Sequence, residues 1–286
     1  MNKRALSNVV TIAAILALSG GVQAASKVVS DAVIAQQRAN LASSTDGAGF
    51  GPQSPRDLDI PLGTNQRTFE AAPEYTDMNL CNIHMHEGAE HKGGEFTNYA
   101  GNGDGKGYGT GFLYSGSLND AELADDGMNV GEGDHGGLEP GDTIEVHYVH
   151  TTAQIQPGPT LGACLSESIV NPQLRVETQV YVVVNDDAAL DFMELTKVGM
   201  VDGKHQALNI PTDTGTPIQY DGSTTGPGYN EKGSPLQVSW SVRPLVAKVN
   251  IKTVGAWFGN NPFDEKYAHG VRNLVTNPSL LSDISN

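Results

Sequence analysis

Histidines at alternating positions of a strand-like run could chelate a metal ion. The run 82–86 is typical of a β-strand, in which side chains alternate between two faces, so His84 and His86 point the same way. Such pairs also occur on surfaces by chance, so a second cluster is needed. His147 lies in another strand-like run, on the same face as Glu145. If the two strands are neighbours, His147 completes a three-histidine site.

This three-histidine set predicts a zinc site of the catalytic kind. Three neutral imidazoles leave Zn²⁺ its full charge and an open fourth position, whereas structural zinc sites are closed by a fourth protein ligand. Glu145 can accept a hydrogen bond from the other ring nitrogen of His147 and so fix its tautomer. His91 is a rival ligand, but it follows a turn expected at Gly88, and we favour His147. The remaining histidines outside these runs are more typical of surface or packing residues: His135, His205 and His269.

The elements that must position these side chains are β-strands. Five strand-like runs alternate with loops rich in Gly, Asn, Asp and Pro: 78–86, 142–151, 174–185, 235–243 and 245–254. Glycine makes up about 12% of the chain, against a usual ~7%, which favours many turns. Residues 51–286 are therefore predicted to form one mostly β domain. Residues 25–50 are predicted to be an N-terminal arm, in which 28–41 could form a short helix.

The composition excludes several classes of protein. The 286 residues include 33 acidic and 17 basic side chains, for a formal charge of −16, whereas nucleic-acid binding requires a basic face. Two cysteines are too few for a disulfide-rich scaffold, and 38% hydrophobic residues are enough to form a core. An acidic globular protein with no nucleic-acid partner is therefore predicted, and the sequence carries no signal for an oligomeric state.

Residues 1–24 have the three parts of a secretory signal peptide. Lys3 and Arg4 form the positive start, and the apolar run 9–18 is shorter than the ~20 residues needed to span a bilayer. Small residues precede a cleavage site after Ala24; the alternative is a membrane anchor or a buried N-terminal helix. Cleavage would change the formal charge from −16 to −18 and leave no segment long enough to cross a membrane. The mature protein is therefore expected to be periplasmic or secreted, without a membrane partner.

Export permits a disulfide bond. Cys81 and Cys164 are the only cysteines, so their pairing is fixed if a bond forms; two free buried thiols are the alternative. By strand parity Cys81 faces away from His84, which argues against a thiolate metal ligand. The bond would close a loop of about 80 residues and stabilise the fold by ~4 kcal/mol through loop-closure entropy.

The histidine cluster and its surroundings resemble a known enzyme family. The order His84-Met85-His86, then Glu90-His91, then the run from Glu145 to His150 is similar to that of the alpha-class carbonic anhydrases. Further segments resemble that class in the same order: Gln53-Ser54-Pro55, the run from Tyr220 to Pro227, and Val238-Ser239-Trp240. The segments CNIHMHEGAEHKGGEF, IEVHYVH, STTGPGYN and AHGVRNLV are most similar to the delta-class carbonic anhydrases of marine microbes. The resemblance covers roughly residues 50–280.

The resemblance implies a fold, a cofactor and a reaction. The fold would be a single mostly β domain with a large twisted antiparallel sheet and few short helices, similar to the alpha-class fold. The reaction would be the zinc-dependent, reversible hydration of CO2 to bicarbonate and a proton by a zinc-bound hydroxide, which makes the enzyme a lyase with small-molecule partners. The ligands of Zn²⁺ would be His84, His86 and His147, with Glu145 behind His147.

The resemblance also implies roles around the zinc ion. Thr224 would accept a hydrogen bond from the hydroxide and pass its own proton toward Glu90. A one-residue deletion before Thr224 leaves Thr225 as a rival, although the second threonine of this segment otherwise lines the substrate site. Three residues resemble apolar positions of the CO2 pocket, although each also fits an ordinary core: Val149, Val238 and Trp240. The proton shuttle has no clear counterpart, and its candidates are His91, His150 and His269.

Two other functions fit parts of the pattern. The spacing of His84, His86 and Glu90 resembles the first motif of cupins, in which the glutamate is itself a ligand. However, Pro140-Gly141 and His147 do not have the spacing of the second cupin motif. An iron- or manganese-dependent oxygenase or isomerase is therefore the weaker alternative. A non-catalytic exported metal-binding protein is another, and it would need neither Glu90 nor Thr224.

Overall fold

Strands predominate in the computed structural model, which describes residues 28–125 and 127–285. The predicted signal peptide and its cleavage site lie outside the described residues. Within the described ranges, no helix has the length and apolar character needed to cross a membrane. The strands are β1 Asn79–Glu87, β2 Phe96–Asn102, β3 Thr110–Tyr114, β4 Val130–Gly133, β5 Gly136–Leu138, β6 Thr143–Thr151, β7 Leu174–Val184, β8 Val198–Val201, β9 Lys204–Ala207, β10 Ile218–Ser223, β11 Gln237–Val242 and β12 Ala247–Asn250. The helices are α1 Asp31–Thr45, α2 Phe192–Leu195 and α3 Ile251–Gly259, with 3₁₀ turns at Tyr75–Asp77, Leu161–Cys164, Pro227–Asn230 and Pro278–Leu280.

A six-stranded sheet forms the centre of the domain. Its strands are ordered β1-β6-β7-β11-β10, and β12 pairs with the last part of β7. The prediction of a single mostly β domain with a large sheet and few short helices is confirmed. The sheet is mixed rather than wholly antiparallel, because β7 pairs in parallel with both β11 and β12. The pairs that carry the candidate ligands, β1–β6 and β6–β7, are antiparallel.

All five predicted runs contain a strand of this sheet. The first three match β1, β6 and β7 to within one residue at either end. The run 245–254 is wrong beyond Asn250, where α3 begins. The side chain of Asn250 accepts a hydrogen bond from the backbone N–H of Lys252 and caps this helix. The apolar residues that follow are helical because they recur at helical spacing on one buried face: Ile251, Val254, Trp257 and Phe258.

Apolar side chains pack on both faces of the sheet. On one face, Met85 and Val146 belong to a core that includes α3. On the other face, Val149 and Trp240 belong to a second core. Because side chains alternate along a strand, the neighbours of Met85 at positions 84 and 86 point to the face of the second core. The candidate metal ligands on β1 therefore lie on the face of the sheet that packs in the second core.

The predicted disulfide is present. Cys81 and Cys164 are bonded with an S–S distance of 2.04 Å, and the bond joins β1 to the turn Leu161–Cys164. The pairing of β1 shifts register between Leu80 and Asn82, so Cys81 packs in the second core although strand parity predicted the opposite face. A crosslink over 83 positions restricts the unfolded chain and stabilises the fold by ~4 kcal/mol.

Helix α1 ties the N-terminal region to the end of the chain. Leu41 is buried against apolar residues near the C-terminus, among them Val275. The Nε of Arg38 donates to the carbonyl oxygen of Leu274 at 3.0 Å. The predicted N-terminal arm therefore contains a packed helix.

His150, on the face of β6 opposite His147, is a buried neutral imidazole. Its Nδ1 lies 3.0 Å from the carbonyl oxygen of Tyr148, and its Nε2 has no hydrogen-bond partner among the described residues. Burial lowers the pKa of His150 to about 3. Because an unfolded histidine has a pKa of about 6.5, the unfolded chain binds a proton that the folded chain does not. The contribution of His150 to the free energy of unfolding is therefore present above the unfolded pKa and is lost as the pH falls below it.

Replacing His150 by Gln should reduce the acid sensitivity of folding. Between about pH 7.5 and about pH 5, the wild-type chain should lose about 2 kcal/mol more unfolding free energy than His150→Gln, because only the former protonates this ring on unfolding. Urea unfolding of both proteins at the two pH values, with a chelator present, measures the difference. Equal losses in both proteins would contradict the prediction.

Candidate metal centre

Strand register brings the three predicted ligands together. β1 and β6 are neighbours, and His84 lies directly opposite His147. The Nε2 of His84 lies 3.2 Å from the Nδ1 of His147, and the ring centres of His86 and His147 are 4.8 Å apart. One nitrogen from each ring lies within 4.8 Å of the others, close enough to share a metal ion. Exposure falls from 9% for His84 through 4% for His86 to 1% for His147, so the group is open on the side of His84.

The second ring nitrogens of His84 and His86 face oxygen acceptors. The Nδ1 of His84 lies 2.6 Å from Oδ1 of Asn82, and the Nδ1 of His86 lies 2.9 Å from the carbonyl oxygen of Gly270. A carbonyl oxygen only accepts, so both imidazoles donate from Nδ1. Their Nε2 lone pairs are left for a metal ion, which is how ligating histidines are usually oriented.

The Glu145 carboxylate accepts hydrogen bonds from two imidazoles. Its Oε1 lies 2.7 Å from Nε2 of His147 and 2.8 Å from Nδ1 of His91, while its Oε2 accepts from the backbone N–H of His91 at 3.1 Å. An ionised carboxylate only accepts, so both rings donate to it. His147 therefore keeps its lone pair on Nδ1, which faces His84. His91 keeps its lone pair on Nε2, which accepts from the hydroxyl of Tyr220 at 2.6 Å.

The protonation of these groups suits metal binding. Burial, with His147 and His86 nearby, lowers the pKa of His84 well below its usual value. Burial lowers the pKa of His86 to about 4, although Glu90 acts in the opposite direction. Burial alone would raise the pKa of Glu145, but the nearby His91 and the hydrogen bonds from both imidazoles hold it well below its usual range. Neutral imidazoles meet the requirement that ligands be unprotonated before a metal binds.

A second group, formed by His91, Glu145 and His147, is also close enough to share an ion. There, however, both nitrogens of His91 are already engaged, one by Glu145 and one by Tyr220. A metal ion in that position would break these bonds. The donor set that fits an ion without such loss is His84, His86 and His147, and three imidazoles are typical zinc ligands. His91, the rival ligand considered from the sequence, lies behind His147 instead.

Glu90 is buried beside the histidines. Its Oε1 accepts from the backbone N–H of Arg272 at 2.7 Å and lies 3.7 Å from Nδ1 of His86. Thr224 is also buried. The next residue, Thr225, has a buried hydroxyl oxygen without a hydrogen-bond partner among the described residues. Neither threonine hydroxyl forms a hydrogen bond to another described residue. A hydrogen bond between Thr224 and Glu90, expected from the resemblance, is therefore not formed within the described part of the chain.

The three predicted apolar residues of the pocket belong to one buried cluster. Val149, Val238 and Trp240 all pack in the second core. The ring of Trp240 meets that of His147 edge to face, with centres 5.0 Å apart, and its Nε1–H donates to the carbonyl oxygen of Ser223. Trp240 thus supports the plane of His147 from the apolar side.

His269, interpreted from the sequence as a surface or packing residue, lies at the edge of the cluster. Its backbone N–H donates to the carbonyl oxygen of Met85 at 2.8 Å, which adds the segment to the free edge of β1. Its ring is stacked on that of His84 with centres 5.7 Å apart. Its Nε2 lies 2.7 Å from Oε2 of Glu265, and 41% of its side chain is exposed. The ring of His269 therefore lies beside that of His84 and is partly exposed to solvent.

The sequence interpretation also missed the partners of His84 and His86. Asn82 could have been found, because it lies two residues before His84 and parity places both side chains on one face. Nothing local could have identified the carbonyl group of Gly270, which is 184 positions away from His86 along the chain.

One comparison with known proteins identifies a family. A sequence model of the family described as delta carbonic anhydrase matches residues 75–253. A search of curated proteins gives no match. Similar solved structures include a halotolerant carbonic anhydrase from Dunaliella salina, which is 14% identical, with 78% of this chain and 86% of that chain covered and a TM-score of 0.30. The alpha-carbonic anhydrase from Thermovibrio ammonificans in complex with sulfanilamide is 15% identical, with 76% and 83% covered and a TM-score of 0.24. The alpha-carbonic anhydrase of Photobacterium profundum is 17% identical, with 82% and 90% covered and a TM-score of 0.23.

Replacing Asn82 by Ala should weaken metal binding without unfolding the domain. Loss of the acceptor at Nδ1 of His84 frees this ring to rotate or change tautomer, and such outer-shell changes typically lower metal affinity by about 10- to 100-fold. Competition titration with a zinc-binding dye measures the affinity. Asn79→Ala is the matched control, because Asn79 is a buried asparagine of the same strand that bonds to the carbonyl oxygen of Ala153 instead. Equal affinities in the two variants would contradict the prediction.

Proposed function

Because this chain belongs to the delta carbonic anhydrase family, we propose that it catalyses the reversible hydration of CO2 to bicarbonate and a proton, with Zn²⁺ bound by His84, His86 and His147. The observation that carries the proposal is that one nitrogen from each of the three rings lies within 4.8 Å of the others, while the opposite nitrogen of each ring is held by a hydrogen bond. We also propose that the protein is exported, on the basis of the signal-like sequence 1–24.

The protein supplies the ligands and their orientation. When bound by three neutral imidazoles, Zn²⁺ would supply a nucleophile at neutral pH, because such a site lowers the pKa of its water to about 7, as is standard for carbonic anhydrases. Asn82 and the carbonyl group of Gly270 hold the rings of His84 and His86. Glu145 holds His147 by its Nε2–H, so that Nδ1 faces the metal position.

Thr224 and Glu90 are proposed to orient the attacking oxygen. The Thr224 hydroxyl would accept a hydrogen bond from that oxygen and donate its own proton to Glu90. Glu90 is suited to this because its Oε1 is fixed by the N–H of Arg272 and it is buried. A carboxylate so placed can only accept, which would set the direction of the Thr224 proton. Thr225 is the alternative for this role, because its buried hydroxyl oxygen also has no partner among the described residues.

The second core is proposed to provide the CO2 pocket. CO2 carries no charge and accepts hydrogen bonds weakly, so an apolar wall beside the metal costs it little on leaving water. Val149, Val238 and Trp240 form part of that wall, with Trp240 in contact with the ring of His147. The same packing would exclude water from one side of the metal.

Of the three candidates for the proton shuttle, His269 is best placed. His91 and His150 are fully buried, and His91 is engaged at both nitrogens. His269 is adjacent to His84 and partly exposed, and its Nε2 is paired with Glu265. We propose that its imidazole takes up the proton released in hydration and passes it to solvent.

The alternative functions receive less support. A cupin-type site would use Glu90 as a metal ligand, but its Oε1 accepts from the backbone of Arg272, and Glu90 is in neither group of described residues that could hold an ion. A non-catalytic metal-binding protein would have no need of a partly exposed histidine paired with a buried carboxylate beside the ligands.

The purified mature protein should contain about one zinc ion per chain and hydrate CO2. Stopped-flow hydration should show a rate that a chelator abolishes and added zinc restores. His147→Ala should lose both zinc and activity, whereas His135→Ala, a change at an exposed ring outside the cluster, should retain them. Zinc-independent hydration, or an intact His147→Ala variant, would refute the proposal.

His269→Ala should slow proton release without loss of zinc. In dilute buffer its maximal rate should fall by about 10-fold or more, because a positioned acid–base group is missing, while concentrated imidazole should restore much of the rate. Stopped-flow hydration at low and high buffer concentration, with zinc content measured in parallel, tests this. A rate unchanged in dilute buffer would exclude His269 as the shuttle.

A further inference from the structure

Arg56 lies buried behind the hydrogen-bond network of the metal centre. Its guanidinium donates to the carbonyl oxygens of Ser282 and Ile60, each at 2.5 Å, and its Cζ lies 5.3 Å from the ring centre of Tyr220. A guanidinium is always protonated in proteins, and Asp283 is a nearby counter-charge. Arg56 therefore holds a fixed positive charge against a tyrosine ring.

Tyr220 connects this charge to the metal ligands. Its hydroxyl lies 2.6 Å from Nε2 of His91 and 2.5 Å from Oγ of Ser54. Since Nε2 of His91 carries only a lone pair, Tyr220 donates to His91, and Ser54 can donate to the Tyr220 oxygen. From His91 the bonds continue to Glu145, which receives the N–H of His147.

Residues 282–285 contact both Arg56 and the strand that carries Tyr220. The carbonyl oxygen of Ser282 fixes one arm of the guanidinium. Ile284 forms an isolated antiparallel bridge with Tyr220, and the N–H of Ser285 donates to the carbonyl oxygen of Gln219. The backbone of Tyr220 and the guanidinium beside its ring are thus held by residues that lie far from the candidate ligands in the sequence.

We propose that Arg56 is a positioning residue of the metal centre and acts through the hydroxyl of Tyr220. A cation over an aromatic ring attracts its π electrons, which strengthens the phenolic O–H as a donor. A stronger bond to Nε2 of His91 keeps the His91 proton on Nδ1, where it bonds Glu145. Glu145 then stays in place to accept from His147. The inference rests on the proposed function, since its endpoint is the ligand His147.

Arg175 provides a matched control. It is also a buried arginine, and its guanidinium donates to the carbonyl oxygens of Pro73 and Ala72 and pairs with Glu177. Among the described residues, no hydrogen bond links Arg175 to Glu145 or to a candidate ligand. Arg175→Met should therefore cost folding stability as Arg56→Met does, but it should leave the metal centre unchanged.

The test uses the full mature chain loaded with Co²⁺ in place of zinc. Two quantities are measured: the visible absorption spectrum of bound cobalt and the rate of its release to a chelator. Arg56→Met should alter the spectrum and release cobalt about 10-fold faster than the wild type, as expected for an outer-shell change. Arg175→Met should keep the wild-type spectrum and stay within about 2-fold of its release rate, whatever its melting temperature.

A double-mutant cycle shows whether the effect passes through the hydroxyl. Tyr220→Phe keeps the ring but removes the O–H, and it should release cobalt about as fast as Arg56→Met. The variant that carries both changes should release it no faster than Tyr220→Phe alone. If Arg56→Met does not fold, Arg56→Lys takes its place in the cycle, with a smaller increase expected in the single variant and the same loss of effect in the Tyr220→Phe background.

The outcomes separate this inference from the function on which it rests. Additive effects in the cycle, or an Arg56 variant that matches Arg175→Met in spectrum and release, would overturn the role of Arg56 while leaving the metal site intact. A wild-type chain that binds no Co²⁺ at the histidines would instead overturn the proposed function, and the inference would fall with it.

Discussion

The Glu145 carboxylate, buried between two imidazoles, sets the protonation of the metal centre. Because it can only accept hydrogen bonds, His147 and His91 must both present N–H groups to it. That single requirement places the lone pair of His147 on the nitrogen that faces His84. It also turns the lone pair of His91 toward Tyr220. The donor and acceptor of each hydrogen bond between Ser54 and His147 follow from the buried charge of Glu145.

Such a buried charge is tolerable only because its partners are supplied by several elements. Strand β6 carries both Glu145 and His147, and the loop after β1 brings His91. An unpaired buried carboxylate would be neutralised by a raised pKa, whereas the hydrogen bonds here hold the pKa of Glu145 low. The apolar second core around these groups keeps water from competing for the same bonds.

The two faces of the central sheet have different roles. One face packs against α3 and contributes stability, while the other carries the histidines above Val149 and Trp240. The group is closed at His147 and more open toward His84, where His269 reaches solvent. This gradient of exposure would suit the proposed open metal position, because substrate would enter on one side while the candidate ligands stay fixed on the other.

Several features of this protein could be predicted from the sequence alone, because they are periodic or local. Strand parity aligned His84 with His86 and Glu145 with His147, and two cysteines allowed a single pairing. The mostly β class and the strands β1, β6 and β7 followed from alternating apolar runs and glycine-rich loops. The exception within this set was Cys81, where a register shift in β1 changed the face that parity assigned.

Only the tertiary structure decided how distant segments meet. The register that sets His84 opposite His147 depends on hydrogen bonds between strands 63 residues apart, which no local pattern records. The carbonyl group of Gly270, the ring of His269 and the guanidinium of Arg56 reach the site from other parts of the chain. The helix Ile251–Gly259 takes the place of only the last part of the strand predicted at 245–254, because apolar residues alone fit both periods, and Asn250 with the packing of α3 selected the helix there. Sequence spacing predicted the candidate ligands, and long-range packing determined which ring nitrogen each of them leaves free.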